Sequence, residues 1–347
     1  MKDKLEKQVL HTIRRFEMVR PQEKVLVALS GGPDSLCLLA VLAALRAELA
    51  IEIEAVHVDH GLRPESADEA ARVQDLCARF GVTCHLRRVD VSERVAGGYG
   101  SVQEAARDLR YAACYEVADA VDAHRVAMGH TADDQAETVL MRLLRGAGPT
   151  GLAGIPPVRG MIIRPLISVW REQILAYCRS CHLPFIEDAS NRSDKYLRNR
   201  IRHHLVPYLE REYNPKVREA LWRLAEVLRA DEEYFDAEVA ERYGSPQLAG
   251  EDGPGWARVR AAGLRSLPLA LQRRVLRHAY ARATGRMAPS FERLEAALAL
   301  AGPRARGGSI VELGAGAYAT RRGPWVELHA EAPAAEDKRR AEKVKCT

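Results

Sequence analysis

Residues 25–29 (VLVAL) run directly into residues 30–35 (SGGPDS), and this junction decides the fold. The apolar, β-branched run stops at two glycines, and leucines then recur at helical spacing from Leu36 to Leu45. The pattern predicts a strand, a tight loop and a helix, with the loop at the helix N-terminus. Unpaired backbone N–H groups and the positive end of the helix dipole make such a loop a binding site for an anion.

The composition of this loop indicates phosphate binding rather than a simple turn. Its two glycines allow close backbone approach to an anion, and its two serines add hydroxyl donors. The loop lacks the Gly-Lys-Ser/Thr ending of the Walker A motif and the spaced glycines of dinucleotide-binding folds. It resembles instead the SGGxDS loop of the PP-loop ATP pyrophosphatases, enzymes that split ATP into AMP and pyrophosphate.

Strand-like runs alternate with helical patterns over the first half of the chain. The runs cover residues 24–29, 51–58, 83–90, 125–128 and 161–164. This alternation predicts an α/β fold with a doubly wound, mostly parallel sheet. Ligands of such sheets bind beyond the carboxyl ends of the strands. Polar or glycine-rich residues follow three of these strands, so we expect one shared cleft there.

The whole-chain composition limits the class of protein. The chain has 347 residues and a net charge of only +5, so a polyanionic partner must be met by a local patch. Residues 138–204 contain eleven Lys or Arg against four Asp or Glu. Seven scattered cysteines indicate reduced thiols in a cytoplasm, and no apolar run approaches the length of a membrane span.

The pattern changes along the chain and predicts several domains. We expect a catalytic domain over residues 1–214 and a helical accessory domain over residues 215–300. A small β element with a terminal β-hairpin is expected over residues 301–330, followed by a disordered tail over residues 331–347.

A predicted helix after residue 101 carries Glu104, Arg107, Arg110 and Tyr111 on one face. By spacing alone, this face would be a solvated charged stripe. Its position before the strand that leads to His130 favours a functional role, because arginine binds phosphate through a fixed fork of donors.

Residues 129–138 (GHTADDQAET) follow the fourth strand, and Thr131 and Asp134 have the spacing of a helix cap. Asp134 and Glu137 point to the same side of that helix. The pair would either complement the helix dipole or hold the ammonium group of a cationic substrate. His130 could donate a hydrogen bond to a phosphate oxygen.

Two further patterns are weaker. Cys178 and Cys181 form a C-x-x-C pair, but with Ile174 they share the packing face of a helix, which favours a core role over a metal or redox role. His57 and Asp59 alternate along a strand, which makes a shared metal site with the next histidine improbable.

Residues 196–204 (YLRNRIRHH) are unusually rich in arginine. Charge runs are usually solvated, but this density suits the backbone phosphates of a nucleic acid.

Five motifs, in order, are similar to those of the tRNA(Ile)-lysidine synthetases over roughly residues 20–210. They are SGGPDS, HVDHGLR, EAARDLRY, GHTADDQAET and EDASNRSDKYLRNRIR. The resemblance implies an ATP-dependent ligase that uses Mg²⁺ and adenylates C2 of the wobble cytidine in a tRNA(Ile) with a CAU anticodon. The side-chain amine of L-lysine then attacks C2. The resemblance also implies that the helical domain binds tRNA, and it favours a homodimer.

The resemblance assigns roles to the motif residues. The candidate ATP-binding residues are Ser30, Gly31, Gly32, Pro33, Asp34, Ser35 and His57, with Asp34 also a ligand of Mg²⁺. The candidate catalytic residues are Asp34, Arg107, Arg110, His130, Asp134 and Glu137. Asp134 and Glu137 are expected to bind lysine. The candidate tRNA-binding residues are Arg198, Asn199, Arg200 and Arg202.

Two alternatives remain open from the residues alone. One is a PP-loop enzyme that thiolates tRNA at a cytidine, in which Cys178 and Cys181 would carry sulfur or a cluster. The other is a non-catalytic adenine-nucleotide sensor or RNA-binding module, which would bind ATP without releasing pyrophosphate.

Overall fold

The structure is a computed structural model that describes residues 3–59, 66–89, 102–185, 194 and 196–331. Its contacts divide the chain into two compact units, Met1–Arg229 and Ala230–Thr347. This division falls within a long helix, Val217–Tyr243, and the domain boundaries proposed from the sequence stay predictions. No helix among the described residues is long and apolar enough to cross a membrane.

The first unit is built on a six-stranded sheet. The strands are β1 (Lys24–Leu29), β2 (Glu52–Asp59), β3 (Thr83–Arg88), β4 (Arg125–Ala127), β5 (Val158–Arg159) and β6 (Ile162–Ile163). Their order across the sheet is β3-β2-β1-β4-β6-β5, and only the β5–β6 pair is antiparallel. The prediction of a mostly parallel, doubly wound sheet is therefore confirmed.

Helices precede, connect and follow these strands, and the last of them continues into the second unit. They are α1 (Lys4–Arg15), α2 (Pro33–Leu49), α3 (Ser66–Arg79), α4 (Val102–Ala120), α5 (Ala132–Leu144), α6 (Pro149–Leu152), α7 (Arg171–Ser180), α8 (Leu197–Arg200), α9 (Val206–Glu212) and α10 (Val217–Tyr243). A π-helical turn, Ile201–Leu205, joins α8 to α9. Strand β1 is buried along most of its length, as expected of a central parallel strand covered on both faces.

The second unit combines helices with an antiparallel sheet. Its strands are β7 (Glu251–Gly253), β8 (Trp256–Arg260), β9 (Ile310–Gly314), β10 (Ala317–Arg322) and β11 (Trp325–His329), in the order β7-β8-β11-β10-β9. Its further helices are α11 (Ala261–Ser266), α12 (Leu269–Thr284) and α13 (Phe291–Ala299). Helices and sheet share one apolar core, which includes Leu264, Val275 and Val326.

The terminal β-hairpin predicted from the sequence is thus part of a larger sheet. Strands β10 and β11 form the expected hairpin, but β9 pairs with β10 and β8 pairs with β11. Strands β7 and β8 were missed because they precede helices α11 to α13, so their partners lie far away along the chain. The tail predicted for residues 331–347 lies, apart from Glu331, outside the described residues.

Candidate active site

The loop after β1 is held closed by its own serines. The backbone N–H of Ser30 donates to Ser35 Oγ at 3.1 Å, and Ser35 Oγ in turn donates to the Gly32 carbonyl at 3.0 Å. Gly31 has a φ of +75°, a conformation that favours glycine, and Pro33 begins helix α2. The first turn of α2, whose N–H groups have no partner within the helix, therefore follows the loop directly.

The end of β4 packs against this loop. A Cβ added to Gly129 would lie 3.3 Å from the backbone of Asp34 and of Ser35, which is tighter than most Cβ contacts in proteins. Glycine lets the two segments pack this closely without a shift of the backbone. The sequence motifs that begin at residues 30 and 129 are therefore neighbours at the carboxyl edge of the sheet.

Asp34, in the first turn of α2, has one partnered and one unpartnered carboxylate oxygen. Its Oδ2 accepts a hydrogen bond from Arg171 at 3.0 Å, whereas its Oδ1 is buried and has no partner among the described residues. Burial raises the pKa of Asp34 to about 6, against the opposing charge of Arg171 and with a further contribution from Asp134. A buried carboxylate oxygen without a donor is a suitable ligand for a hard cation such as Mg²⁺. Asp34 therefore fits the predicted metal.

Asp134 is fixed at the start of α5 by a capping box. Its Oδ2 accepts hydrogen bonds from the backbone N–H of Thr131 at 2.8 Å and from the Thr131 hydroxyl at 3.2 Å. Its Oδ1 accepts from Arg198 at 2.9 Å and from Arg202 at 3.3 Å. The predicted cap is confirmed, and all of these contacts favour the carboxylate form of Asp134.

Glu137, one turn further along α5, is only 4% exposed and binds the same two arginines. Its Oε2 accepts from Arg198 Nε and from an Arg202 terminal nitrogen, both at 2.9 Å, and its Oε1 accepts from Arg202 Nε at 2.5 Å. The residues predicted to bind lysine therefore contact two of the residues predicted to bind tRNA. Two carboxylates and two guanidinium groups neutralise each other in this network.

The network controls the charge on Asp134. Burial by itself would raise the pKa of its carboxyl, but Arg198, His130 and Arg202 oppose burial, and the pKa is lowered. Arg198 and Arg202 both have raised pKa values; burial opposes the shift in each case and the two carboxylates outweigh it. Asp134, Arg198 and Arg202 therefore stay charged near neutral pH.

His130 is neutral in this environment. Burial lowers its pKa to about 3, with Asp134 opposing this shift and Arg164 reinforcing it. Arg164, itself 2% exposed, donates through Nε to His130 Nδ1 at 3.3 Å. Because Nδ1 accepts, the single ring proton lies on Nε2, which can therefore donate to a substrate oxygen as predicted.

The predicted cationic face of α4 lies near the same residues. Arg107 is exposed and stacks over the Tyr111 ring, with 5.3 Å between the guanidinium carbon and the ring centroid. Arg110 is half-buried, its Nε has no hydrogen-bond partner among the described residues, and burial lowers its pKa. The side chain of Glu104 lies outside the described residues. The Nε of Arg110 is thus a buried donor that the described part of the chain leaves unused.

His57 occupies a neighbouring place at the same sheet edge. It is buried, its Nδ1 lies 3.1 Å from the Leu29 carbonyl oxygen, and it lines a cavity of about 380 Å³ with Asp59 and Arg88. This cavity adjoins the end of β1, where the phosphate loop begins. The next residue, His60, lies outside the described residues.

The remaining residues of the arginine-rich segment differ from one another. Asn199 is buried, whereas Arg200 is exposed and makes no ion pair within the described part of the chain. The structure therefore brings Arg198 and Arg202 to the carboxylates and leaves Arg200 at the surface.

Sequence reasoning missed Arg171 and Arg164. Arg171 binds Asp34 through its side chain, and its backbone N–H donates to Asp133 Oδ2 at 2.7 Å. An arginine at the first position of a helix opposes the helix dipole, so its place at the start of α7 was a signal that a carboxylate lies nearby. Arg164 lies in a short irregular connection and carried no comparable signal.

The cysteine pair has a structural role. Cys178 is fully buried in the main core. Its thiol donates to the Pro33 carbonyl oxygen at 3.5 Å and so packs against the phosphate loop. All six cysteines in the described residues are free thiols. Within the same residues, no group of three His, Cys, Asp or Glu side chains could hold a metal. The packing interpretation of Cys178 is confirmed.

Comparisons with known proteins show the family of the chain. Residues 1–209 match the PP-loop domain family, and residues 260–323 match the TilS substrate binding domain family. The chain is 37% identical to a tRNA(Ile)-lysidine synthase of Thermosynechococcus vestitus over 92% of this chain and 90% of that protein. It is 41% identical to the one of Clostridium perfringens over 69% of this chain and 51% of that protein.

The chain spans about half the length of several of these relatives, such as the synthase of Clostridium perfringens. Among solved structures, the U34-tRNA thiolase NcsA of Methanococcus maripaludis is similar in fold. Its TM-score is 0.55 at 19% identity, covering 65% of this chain and 78% of that one. Together, the domain matches and the long alignment show that the chain belongs to the tRNA(Ile)-lysidine synthase (synthetase) family of PP-loop proteins.

Proposed function

We propose that this protein is a tRNA(Ile)-lysidine synthase that acts on a tRNA(Ile) with a CAU anticodon. ATP would adenylate the C2 oxygen of the wobble cytidine and release pyrophosphate, and the side-chain amine of L-lysine would then displace AMP. The observation that carries this proposal is the meeting of three distant motifs at one sheet edge. Arg171 and Asp34, Arg198 and Asp134, and Arg202 and Glu137 are in direct contact there.

The phosphate loop is suited to the ATP triphosphate. The serine hydroxyls and the first turn of α2 would bind the departing pyrophosphate, and Asp34 would hold Mg²⁺ through its unpartnered Oδ1. The metal would neutralise phosphate charge and fix the orientation of the leaving group. Arg171 keeps the other oxygen of Asp34 occupied, so that the carboxylate is oriented before ATP arrives.

The donors around His130 are suited to the adenylation step. As the C2 oxygen attacks the α-phosphorus, negative charge grows on the phosphate oxygens. The neutral His130 can donate through Nε2, Arg107 is exposed, and the Nε of Arg110 has no partner among the described residues. These three residues would stabilise the transition state and later the AMP leaving group.

The carboxylate pair of α5 is suited to the lysine ammonium. Asp134 and Glu137 already bind two guanidinium groups, so their pocket accommodates cations. Because Arg198 and Arg202 help to keep the pKa of Asp134 low, Asp134 is suited to binding the ammonium and poorly suited to taking its proton. Glu137 accepts hydrogen bonds from the same two arginines and would hold the ammonium together with Asp134.

The arginine-rich segment would serve two purposes. Arg198 and Arg202, held by the carboxylates, would close over the reacting centre. The exposed Arg200 would contact a tRNA phosphate, and Asn199 stays a predicted tRNA contact. A cytoplasmic location and a homodimer belong to the same proposal, and light scattering would show the dimer as a mass twice that of the chain.

The decisive experiment combines purified protein, Mg-ATP, radiolabelled L-lysine and an unmodified CAU transcript of tRNA(Ile). We expect lysine to enter the tRNA, and we expect Asp34→Ala or a changed wobble base to abolish this. Pyrophosphate release without lysine incorporation would contradict the proposal and indicate another nucleophile, sulfur first.

A second experiment tests the lysine site. Asp134→Ala and Glu137→Ala should raise the KM for lysine more than the KM for ATP. Arg107→Ala is the matched control, since it should affect the chemical step without a preferential effect on lysine. A larger effect of the two carboxylate variants on ATP would contradict the assignment.

A further inference from the structure

Two histidines at the carboxyl edge of the first unit's sheet have opposite ring partners. His57, in β2, has its Nδ1 3.1 Å from the carbonyl oxygen of Leu29. A carbonyl oxygen only accepts hydrogen bonds, so the Nδ1 of His57 carries a proton. His130, which follows β4, has its Nδ1 3.3 Å from the Nε of Arg164, and a guanidinium group only donates. In their neutral forms, the two rings are therefore opposite tautomers.

Arg164 is held in one orientation by three further hydrogen bonds. A terminal nitrogen of its buried side chain donates to the Pro156 carbonyl at 2.7 Å. Its backbone N–H donates to the Pro157 carbonyl at 2.9 Å, and its own carbonyl accepts from the Ile167 N–H at 3.1 Å. Because both its backbone and the end of its side chain are fixed, the Nε of Arg164 keeps its direction towards His130.

The loop that supplies these carbonyls, residues 146–157 (GAGPTGLAGIPP), is itself fastened to α5. The backbone N–H of Ile155 donates to Gln135 Oε1 at 2.6 Å, and Arg142 donates to the Gly154 carbonyl at 2.8 Å. Gly154 has a φ of +72°, a conformation that favours glycine. The loop is therefore a fixed support for Arg164, built on the helix that carries the predicted lysine-binding carboxylates.

The groups that face His130 keep its ring neutral. Burial lowers the pKa of the ring to about 3, and the charge of Asp134 opposes this shift. The charges of Arg164, Arg198 and Arg107 reinforce it. A neutral ring has a single proton, so the hydrogen bonds of the ring decide which nitrogen carries that proton.

The contact at Nδ1 determines what His130 can offer to a ligand. If the proton lay on Nδ1, it would face the N–H of Arg164, and two donors would repel each other. The proton therefore lies on Nε2, which has no hydrogen-bond partner among the described residues. An imidazole without such a contact would divide its proton between the two nitrogens. Arg164 thus converts an ambiguous group into a donor at a defined atom.

We propose that Arg164 is a positioning residue that locks His130 in the tautomer with a proton on Nε2. This inference rests on the proposed function, since it says how the adenylation step would obtain its neutral donor. Phosphate oxygens that gain negative charge are stabilised best by a hydrogen bond that is oriented before the charge develops. Arg164 acts through His130, because its side chain is buried and already bound to the loop.

The first test measures the tautomer by nitrogen NMR of the full chain labelled at its histidines. Protonated and unprotonated ring nitrogens differ strongly in chemical shift, and the variants His130→Gln and His57→Gln identify the two signals. We expect the wild-type protein at neutral pH to carry the proton of His130 on Nε2 and to have a proton on Nδ1 of His57. The measurement needs no substrate.

Variants of Arg164 should release the lock. In Arg164→Gln, the amide oxygen can accept from Nδ1, so we expect both tautomers of His130 to appear. Arg164→Met removes the donor altogether and should have the same effect, so that one folded variant of the two is sufficient. Arg142→Gln is the matched control, because Arg142 holds the carbonyls of Gly151 and Gly154 in the same loop without contacting His130. It should leave the tautomer unchanged.

The second test measures the rate of a single turnover. Arg164→Gln should lower this rate about tenfold with little change of the KM for ATP or lysine, since part of the population keeps the donor. The control Arg142→Gln should stay within about twofold of wild type. In a His130→Gln background, whose amide donates without a tautomer, adding Arg164→Gln should cost less than about twofold more.

A proton on Nδ1 of His130 in the wild-type protein would overturn the proposal. An unchanged tautomer in the Arg164 variants would also overturn it. So would an equal loss of rate from Arg164→Gln with and without His130, because Arg164 would then act on the fold alone. The tautomer is read without substrate, so the two proposals fail separately. A protein with the expected tautomers that incorporates no lysine would contradict the proposed function alone.

Discussion

Arg198 and Arg202 of the first unit are neutralised by two carboxylates, whereas four arginines of the second unit form no ion pair among the described residues: Arg265, Arg304, Arg306 and Arg321. Arg198 and Arg202 lie in the segment with the highest arginine density, yet Asp134 and Glu137 neutralise their charge. These four arginines of the second unit are sparser along the chain, and no carboxylate among the described residues neutralises them. The comparison teaches that arginine density predicts a polyanion site only where the fold supplies no acidic partners.

The largest expected effect comes from removing the buried carboxylate of the neutral network. Glu137→Ala leaves Arg198 and Arg202 without most of their hydrogen bonds, and we expect it to lower the free energy of unfolding by about 3 kcal/mol. The free energy of unfolding is measured by urea denaturation for this variant and for a control variant. Arg304→Ala, which breaks no ion pair among the described residues, is the control and should stay within about 0.5 kcal/mol of wild type. A negligible effect of Glu137→Ala would show that the network contributes little to stability.

A smaller effect should appear in the pH dependence of stability. The pKa of Asp134 is lowered in the folded state, so its charge stabilises the fold above its ordinary pKa, and this contribution disappears as the pH falls through the lowered value. Asp134→Asn keeps an oxygen for the cap but removes the charge. We expect it to cost about 2 kcal/mol at neutral pH and progressively less below about pH 4. A pH-independent difference would indicate that the cap geometry, rather than the charge, was lost.

The smallest effect should separate Arg200 from its neighbour Arg202. Arg200→Ala should weaken tRNA binding about threefold and reduce the salt dependence by about one, because its charge is free to meet a phosphate. Arg202→Ala should change the salt dependence less, since its charge is held by Glu137 and Asp134. A larger salt effect for Arg202 would mean that the network opens when tRNA binds, and the comparison would then need revision.

Much of the fold could be predicted because its signals are local. The apolar run before Ser30, the glycine pair and the leucine spacing define β1, the loop and α2, and the capping residues at Thr131 define the start of α5. The antiparallel sheet of the second unit could not be predicted as a whole, since β8 pairs with β11 across three intervening helices. The roles of the site residues and the tRNA-binding role of residues 215–300 stay predictions.

By itself, the sequence indicated most of the chemical groups that meet at this sheet edge, although not Arg171 or Arg164, because strand ends, caps and glycine turns depend on neighbours along the chain. Only the tertiary structure decided how those groups neutralise one another. Arg171 meets Asp34 across 137 residues, and Arg198 meets Glu137 across 61 residues. Whether the charge of an arginine is neutralised depends on the carboxylates that packing brings within hydrogen-bond distance. These partners lie far away along the chain and carry no local signal in the sequence.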